Sequence, residues 1–265
     1  MHIRKNGQRH LWLLSGTGEG PLLAAALVSH GWNVTVSVVS SQAALQYLDM
    51  PLEDVWVGSL DGVEGIERAL EFAKCLHNGF DWVIDATHPF ALLVSKNLCQ
   101  VCQKQSQPLL RFERTLEASV GSLINSPLDL ASKPLQGKRL LLAIGARHLK
   151  EAVAASRQGG AEVFARVLPS PESLIKALAS DIGEENLAVL RPLKGSTPGS
   201  LELALCRRWS IDSIICRQSG GVTQKLWQDI SIDWGLELFL ISRPENPFKQ
   251  EEVNTFEDLL TRIDL

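Results

Sequence analysis

Short apolar runs alternate with longer amphipathic segments along almost the whole chain, and this alternation limits the fold more than any other feature. In the first half, the predicted strands are residues 11–15, 34–39, 55–58, 82–85 and 109–112. Continuous runs of valine, leucine and isoleucine are typical of parallel strands that are buried on both faces. Helix-like patterns between them supply the crossover connections that parallel neighbours require.

The same alternation restarts in the second half of the chain. There the predicted strands are residues 139–145, 162–167, 186–191, 212–216 and 236–242. Two rounds of strand and helix predict an α/β protein with two doubly wound, Rossmann-like domains and mainly parallel sheets. Residues 116–137 carry Ser, Pro and Gly at many positions and are predicted to form a linker. The expected domains are residues 1–115 and residues 138–265, the second ending in a helix over residues 250–263.

The composition is that of an ordinary folded protein and excludes some functions. Of the 265 residues, 45% are hydrophobic and 21% are charged, so the chain can bury a sizeable core without a disulfide or a metal. The net charge of -4 argues against non-specific nucleic-acid binding, which needs a strongly basic domain. No apolar stretch approaches the ~20 residues that span a bilayer, and residues 11–14 are too short for a signal-peptide core. We therefore expect a cytoplasmic protein that partners neither nucleic acid nor a membrane.

The five cysteines are an odd number spread through apolar patterns, which predicts free thiols in a reducing compartment. Cys99 and Cys102 match the C-x-x-C spacing, but the pair falls in the middle of a predicted helix. Redox pairs lie at a helix N-terminus, where the thiolate is stabilised, so these two are interpreted as structural thiols.

Ligands of parallel α/β sheets bind outside the carboxyl ends of the strands, so the strand ends name the candidate site residues. Ser15, Gly16 and Thr17 follow the first predicted strand. Glycine there lets the backbone approach a phosphate, and the N-terminus of the next helix favours an anion. The match to G-x-G-x-x-G is incomplete because Pro21 stands at the third glycine position, and an ordinary strand-to-helix turn remains the alternative.

The second predicted strand ends at Ser40 and Ser41, without the acidic residue that holds the ribose hydroxyls in many NAD sites. Small hydroxyl residues leave room for a 2′-phosphate, although no Arg or Lys lies beside them. The expected cofactor is therefore NADPH, with NADH possible.

The fourth predicted strand ends in Asp85, and Thr87 and His88 follow it directly. Pro89 fits the first turn of a helix, so Thr87 and His88 are predicted to face the cleft. A single histidine is more often structural than functional, but a polar group at a strand end favours function. Asp85, Thr87 and His88 are the catalytic candidates, and His88 or water is the candidate proton donor.

Every predicted strand of the second half is followed closely by a basic residue. These residues are Arg147, Arg166, Arg191 with Lys194, Arg217 with Lys225, and Arg243. Guanidinium groups match carboxylates and phosphates, and a turn at Ser219 and Gly220 offers backbone donors beside Arg217. A polyanionic ligand is predicted, while the ordinary preference of arginine for loops accounts for part of the pattern. The sequence holds no recognised metal, P-loop or serine-nucleophile motif, and no metal is expected.

The segment Asp85-Ala86-Thr87-His88-Pro89-Phe90-Ala91 resembles the DATHPFA signature of the precorrin-6A reductase family of corrinoid biosynthesis, which includes cobalt-precorrin-6A reductases. Other segments also resemble that family, namely Gly16-Thr17-Gly18-Glu19, Gly58 with residues 61–65, residues 110–114, 165–169, 219–221 with Lys225, and 242–244. The resemblance covers almost the whole chain. Arg217-Gln218 departs from it, since the family commonly has Lys-Asp there, and residues 194–198 stand where a Gly-Pro-Phe element is common.

The resemblance implies a nicotinamide-dependent reductase acting on one ring double bond of a tetrapyrrole that bears many carboxylates. It adds Glu19 and Gly58 to the cofactor-binding candidates Ser15, Gly16, Thr17, Ser40 and Ser41. The candidate substrate ligands are Arg147, Arg166, Arg191, Arg217, Ser219, Gly220 and Lys225. Two alternatives stay open, a non-catalytic protein that binds a nucleotide or tetrapyrrole, and a nucleotide-sugar glycosyltransferase. The metallation of the substrate and the oligomeric state are also open.

Overall fold

A computed structural model of the chain describes residues 9–116, 120–193, 197–248 and 250–264. The chain divides into two compact units. Unit 1 contains residues 1–115 and 244–265, and unit 2 contains residues 116–243. Within the described ranges, no helix combines the length and apolarity needed to cross a membrane.

Unit 1 contains a six-stranded parallel sheet. Its strands are β1 (His10–Ser15), β2 (Asn33–Val38), β3 (Asp54–Val57), β4 (Trp82–Ala86), β5 (Leu109–Phe112) and β12 (Glu251–Val253). Its helices are α1 (Gly20–Ser29), α2 (Ser41–Ala44), α3 (Gly62–His77), α4 (Leu92–Gln105) and α9 (Phe256–Ile263), with a 3-10 turn at Leu45–Tyr47. The strand order is β12-β5-β4-β1-β2-β3.

Side chains of β1 show why both faces of this sheet are covered. Leu11 and Leu13 lie in a core cluster with residues of α1 and α9, whereas Trp12 and Leu14 lie in a second cluster with residues of α3 and α4. Successive side chains of a strand point to opposite faces, so an unbroken apolar run needs helices on both. The buried indole of Trp12 donates to Ser37 Oγ at 2.7 Å, which satisfies its polar group.

Unit 2 also contains a six-stranded parallel sheet. Its strands are β6 (Ser122–Ile124), β7 (Arg139–Leu142), β8 (Glu162–Val167), β9 (Leu187–Val189), β10 (Ser213–Arg217) and β11 (Glu237–Ile241). Its helices are α5 (Leu149–Gln158), α6 (Pro171–Leu178), α7 (Ser200–Arg208) and α8 (Val222–Trp234), with 3-10 turns at Pro127–Ser132 and Glu184–Asn186. The strand order is β6-β11-β10-β7-β8-β9. The predicted α/β fold with two doubly wound parallel sheets is therefore confirmed.

The boundaries of the two units differ from the sequence prediction. Residues 116–137 are not a linker, since they contain β6, which pairs with β11 in the sheet of unit 2. Residues 244–265 belong to unit 1, where β12 pairs with β5, so the second unit does not extend to residue 265. The helix predicted over residues 250–263 begins only at Phe256, because Thr255 Oγ1 accepts the amide of Asp258 and caps the helix there.

Burial governs the reactivity of the cysteines. It raises the pKa of Cys102, Cys206 and Cys216 to about 12, and neighbouring acidic groups add to the shift for the first two. Cys75 is exposed. We expect a maleimide at neutral pH to label Cys75 in the folded protein and to reach these three thiols only after unfolding, because the thiolate is the nucleophile. Mass spectrometry of labelled peptides measures this, and rapid native labelling of Cys216 would contradict it.

Candidate functional site

The sheet of unit 1 has its topological switch point between β1 and β4. These strands are neighbours, but β2 and β3 extend the sheet on one side while β5 and β12 extend it on the other. The loops after β1 and β4 diverge at such a switch point and leave a crevice at the carboxyl ends, where ligands of these sheets bind. The amide of Gly16 donates to the carbonyl of Ala86 at 3.2 Å, so the two loops start in contact.

Gly16 permits the close packing of these two loops. A Cβ atom at this position would lie 2.7 Å from the backbone nitrogen of His88 and 3.0 Å from Cα of Thr87. At Gly18, in the same loop, a Cβ atom would meet nothing within 4 Å. Of the two glycines that suggested a phosphate loop, Gly16 is therefore the one that the backbone packing requires.

Ser15 lies below this loop and is buried. Its hydroxyl accepts a hydrogen bond from Tyr47 at 2.7 Å, next to the first residue of α1. Burial raises the pKa of Tyr47, an effect that the hydrogen bond to Ser15 partly offsets, so the phenol remains a donor at neutral pH. The side chain of Ser15 thus supports the turn from below, while exposed Gly16 and half-buried Thr17 form its outer surface.

Glu19 lies at the N-cap of α1 and pairs with Arg114, which follows β5. Both residues line a small crevice at the strand ends. The other lining residues are Thr17, Ala86, Thr87, Pro89, Phe112 and Glu113. A carboxylate at a helix N-terminus interacts favourably with the helix dipole, and Arg114 balances its charge. The loops after β1, β4 and β5 therefore form one wall of the site.

Asp85 is fully buried beneath the Thr87–His88 segment. Its Oδ1 accepts hydrogen bonds from the Thr87 amide at 3.1 Å, from the Thr87 hydroxyl at 2.7 Å and from Arg111 Nη1 at 2.8 Å. A side chain with no exposed surface cannot touch a ligand in the crevice in this conformation. The geometry therefore favours a positioning role for Asp85, which sequence reasoning placed among the catalytic candidates.

Arg111, on β5, connects this cluster. It is 3% exposed, and its Nη1 also donates to Thr87 Oγ1 at 2.9 Å and to Ser95 Oγ at 3.3 Å. On its other edge, Nε and Nη2 donate to Glu113 Oε2 at 3.0 Å and 2.6 Å. Burial lowers the pKa of Arg111, but Asp85 and Glu113 more than compensate and leave it raised, so the guanidinium stays charged. Arg111 thus links Asp85 and Thr87, at the end of β4, to Ser95 in α4 and to Glu113 after β5.

His88 is half-buried and lies in the chain between Thr87 and Pro89, which line the crevice. Its Nδ1 accepts a hydrogen bond from the amide of Phe90 at 3.2 Å. An acceptor nitrogen carries no proton, so the neutral ring carries its proton on Nε2. The backbone thereby selects the tautomer in which Nε2 is the donor.

The remaining cofactor candidates follow β2 and β3 and are exposed. Ser40 caps α2 by accepting the amide of Ala43 at 3.3 Å. The amide of Gly58 donates to the carbonyl of Val38 at 2.9 Å, and its φ of 131° is one that favours glycine. Ser40, Ser41 and Gly58 thus lie at the carboxyl ends of the parallel strands, as Gly16 does.

The sheet of unit 2 has its own switch point, between β7 and β10. Arg147 follows β7, and Arg217 is the last residue of β10. Burial lowers the pKa of Arg217, and the nearby charge of Arg147 lowers it further. The structure thus places Arg147 and Arg217 after neighbouring strands of the sheet, where their charges interact.

Three other substrate candidates are placed differently from the prediction. Arg166 is 5% exposed and lies within β8 instead of following it, so it is a core residue and not part of a rim. The amide of Ser219 donates to the Arg217 carbonyl at 2.8 Å, and that of Gly220 donates to Gln224 Oε1 at 2.7 Å. Both backbone donors are used inside the protein and are not directed at a ligand.

Arg191 and Lys225 are exposed, the first just after β9 and the second in α8. Lys225 lies 3.5 Å from Asp229, one turn further along the helix. Lys194 lies outside the described residues.

Residues 110–114 entered the sequence reasoning only as a segment resembling the family, and no role was assigned to the residues that hold the first site together, namely Arg111, Glu113, Arg114 and Tyr47. A charged residue inside the short apolar run of β5 was the available signal, since a buried arginine needs carboxylate partners. In the described part of the chain, no group of three or more His, Cys, Asp or Glu side chains is arranged to hold a metal ion.

Similarity to known proteins extends over almost the whole chain. A family model described as "Precorrin-6x reductase CbiJ/CobK" matches residues 10–264. A cobalt-precorrin-6A reductase of Synechocystis is 31% identical over 243 residues, covering 89% of this chain and 88% of the relative. A precorrin-6A reductase of Mycobacterium tuberculosis is 29% identical, covering 89% of each chain. The solved structure of CobK precorrin-6A reductase has a similar fold, with a TM-score of 0.73 at 24% identity over 97% of this chain and 96% of that one.

Proposed function

The chain belongs to the precorrin-6x reductase CbiJ/CobK family, and on that premise we propose that it reduces a ring double bond of precorrin-6A or cobalt-precorrin-6A. We further propose that NADPH, or NADH, is the hydride donor. The observation that carries the proposal is the crevice of unit 1, where Gly16 packs directly on the backbone of Thr87 and His88. A bound nicotinamide supplies the hydride, and the protein supplies binding, orientation and electrostatics.

The pyrophosphate of the nucleotide is proposed to bind at the loop of Gly16 and Thr17. The N-terminus of α1 adjoins this loop, and its dipole favours an anion, although the Gly20 amide already donates to the Thr17 carbonyl at 3.2 Å and Pro21 has no N–H. Because Glu19 is paired with Arg114, its carboxylate adds little repulsion there. The adenosine end is assigned to Ser40, Ser41 and Gly58, which follow the two strands beyond β1.

Reduction of a double bond also needs a proton, and the candidate is His88, which lies in the chain between Thr87 and Pro89 of the crevice lining. The ring delivers a proton from Nε2 only as the imidazolium, in which Nδ1 also carries a proton, so the Phe90 amide must first release Nδ1. Thr87 holds this segment through its two hydrogen bonds to Asp85. Proton delivery by water is the alternative, and His88→Ala separates the two, because turnover then falls strongly only if the imidazole takes part.

Substrate carboxylates are proposed to bind in unit 2 at Arg147 and Arg217, with Arg191 and Lys225 as further cations. The support is that Arg147 follows β7 and Arg217 ends β10 at the switch point of this sheet, where burial and then the charge of Arg147 lower the pKa of Arg217. Arg166 is withdrawn as a direct ligand because it is buried in β8. A substrate with many carboxylates matches such a group of guanidinium and ammonium donors.

A binding and turnover experiment tests the proposal. We expect NADPH at one hundred times its Kd to stabilise the protein by about 2.7 kcal/mol in a thermal-shift assay, and NADH to require a higher concentration. Anaerobic addition of precorrin-6A should then consume the nucleotide, as followed by its absorbance. Binding without consumption would favour a binding protein, and stabilisation by nucleotide sugars alone would favour a glycosyltransferase.

The carboxylate site has its own expected result. Arg147→Ala should raise KM for precorrin-6A about tenfold and leave kcat nearly unchanged, since it removes a contact made equally in the ground and transition states. Arg157→Ala is the matched control, because Arg157 pairs with Asp181 on the surface of the same unit. An equal KM for both variants would remove Arg147 from the substrate site.

A further inference from the structure

A buried carboxylate in unit 2 holds a strained turn. Glu202 lies in the first turn of α7 and has no exposed surface, and its Oε1 accepts the amide of Leu193 at 2.9 Å. Leu193 has a φ of 60°, in the left-handed region that a side-chain-bearing residue avoids. This turn follows β9 and begins beside Arg191. The hydrogen bond to Glu202 therefore opposes the tendency of Leu193 to leave that conformation.

Arg166 is a buried basic residue whose pKa responds to Glu202. It is 5% exposed on β8, burial lowers its pKa, and the charge of Glu202 offsets part of that effect. Within the described part of the chain, Arg166 Nε and Glu202 Oε2 have no hydrogen-bond partner. These atoms therefore do not join Arg166 to Glu202 by a hydrogen bond, and the bond from the Leu193 amide is the contact that fixes the Glu202 carboxylate.

We infer that Glu202 is a positioning residue that fixes the Arg191–Leu193 turn through its hydrogen bond to the Leu193 amide and thereby sets the affinity for the carboxylate substrate. The second half of this inference rests on the proposed function, since it takes Arg191 as a substrate ligand. Glu202 itself contacts neither substrate nor cofactor.

Hydrogen exchange tests the structural half without any turnover. In Glu202→Ala the Leu193 amide loses its acceptor, and we expect its exchange to accelerate about tenfold or more, while the amide of Ile215 in β10 reports global opening. Glu202→Gln retains an acceptor oxygen, so Leu193 should exchange more slowly than in the alanine variant. Glu151→Ala is the matched control, since Glu151 occupies the first turn of α5 and is exposed. Equal acceleration at Leu193 and Ile215 would reduce Glu202 to a general stabilising residue and overturn the inference.

Binding of precorrin-6A tests the functional half. We expect Glu202→Ala and Arg191→Ala each to weaken binding about tenfold, and the double variant to bind no more weakly than the weaker single one, because both changes remove one contact. Additive losses, or unchanged affinity when Leu193 is deprotected, would overturn the positioning role. If the wild-type protein binds no precorrin-6A, the proposed function and the substrate half fail together, whereas the exchange result stands by itself.

Discussion

Gly16→Ala is expected to reduce nucleotide binding by about a hundredfold, equivalent to roughly 2.7 kcal/mol. The added methyl group would lie 2.7 Å from the His88 nitrogen, closer than such atoms approach in proteins, and the atoms it meets are backbone. The loop after β1 or the Thr87–His88 segment must therefore shift. A shift of about 1 Å is enough to cost a large factor in binding or rate when donors no longer align with the ligand.

Gly18→Ala is the matched control for this experiment. It adds the same methyl group to the same loop, where nothing lies within 4 Å. Isothermal titration with NADPH should give an affinity within about twofold of the wild-type value, the scale of ordinary exposed substitutions. Circular dichroism of Gly16→Ala should show the native helix content. If both variants bind NADPH as the wild type does, the crevice between β1 and β4 is not the nucleotide site.

Arg111→Met is expected to lower the free energy of unfolding by about 3–5 kcal/mol. The guanidinium donates to Asp85, Thr87, Ser95 and Glu113, and its removal leaves the buried Asp85 carboxylate without a counter-charge. Methionine fills similar space but offers neither charge nor donors. Urea unfolding followed by tryptophan fluorescence measures the loss. Because Thr87 loses a donor as well, nucleotide binding should weaken even at temperatures where the variant is fully folded.

Arg68→Met provides the comparison for a surface arginine of the same unit. Its side chain is 60% exposed and lies near Asp61 and Glu64, and such pairs contribute at most about 1 kcal/mol. A loss of the same size in both variants would mean that the buried network has no special importance for unit 1.

The sheets were predictable because their central strands are apolar on both faces. An unbroken hydrophobic run occurs in each of β1, β4, β7 and β10. In a chain that alternates such runs with helical patterns, a short run of this kind indicates a buried strand. β12 was not predictable in the same way. Its three residues, Glu-Glu-Val, contain a single apolar side chain, and pairing with β5 makes it a strand. Long-range pairing leaves no trace in a local pattern of this length.

The strand ends of unit 1 were predictable, but the purpose of each side chain there was not. Gly16, Thr87 and His88 lie where the strand-end argument places them. Asp85 belongs to the strand itself, and its side chain points into the interior, where Arg111 reaches it from the next strand. For Arg166 the same distinction applies, because a position one residue before the end of β8 faces the core. The sequence specifies which residues are near a strand end, whereas the pleat and the packed helices decide which of them reach the ligand.

The place of β12 in the sheet affects how the protein is made. Unit 1 begins the chain, yet the strand that covers the edge of β5 is synthesised only after all of unit 2. While the ribosome is still translating unit 2, the nascent first sheet has an open edge at β5 and lacks the helix α9 that packs on one of its faces. Open parallel edges and uncovered apolar faces attract other chains and chaperones. Residues 244–265 therefore complete a domain whose other strands are translated before unit 2.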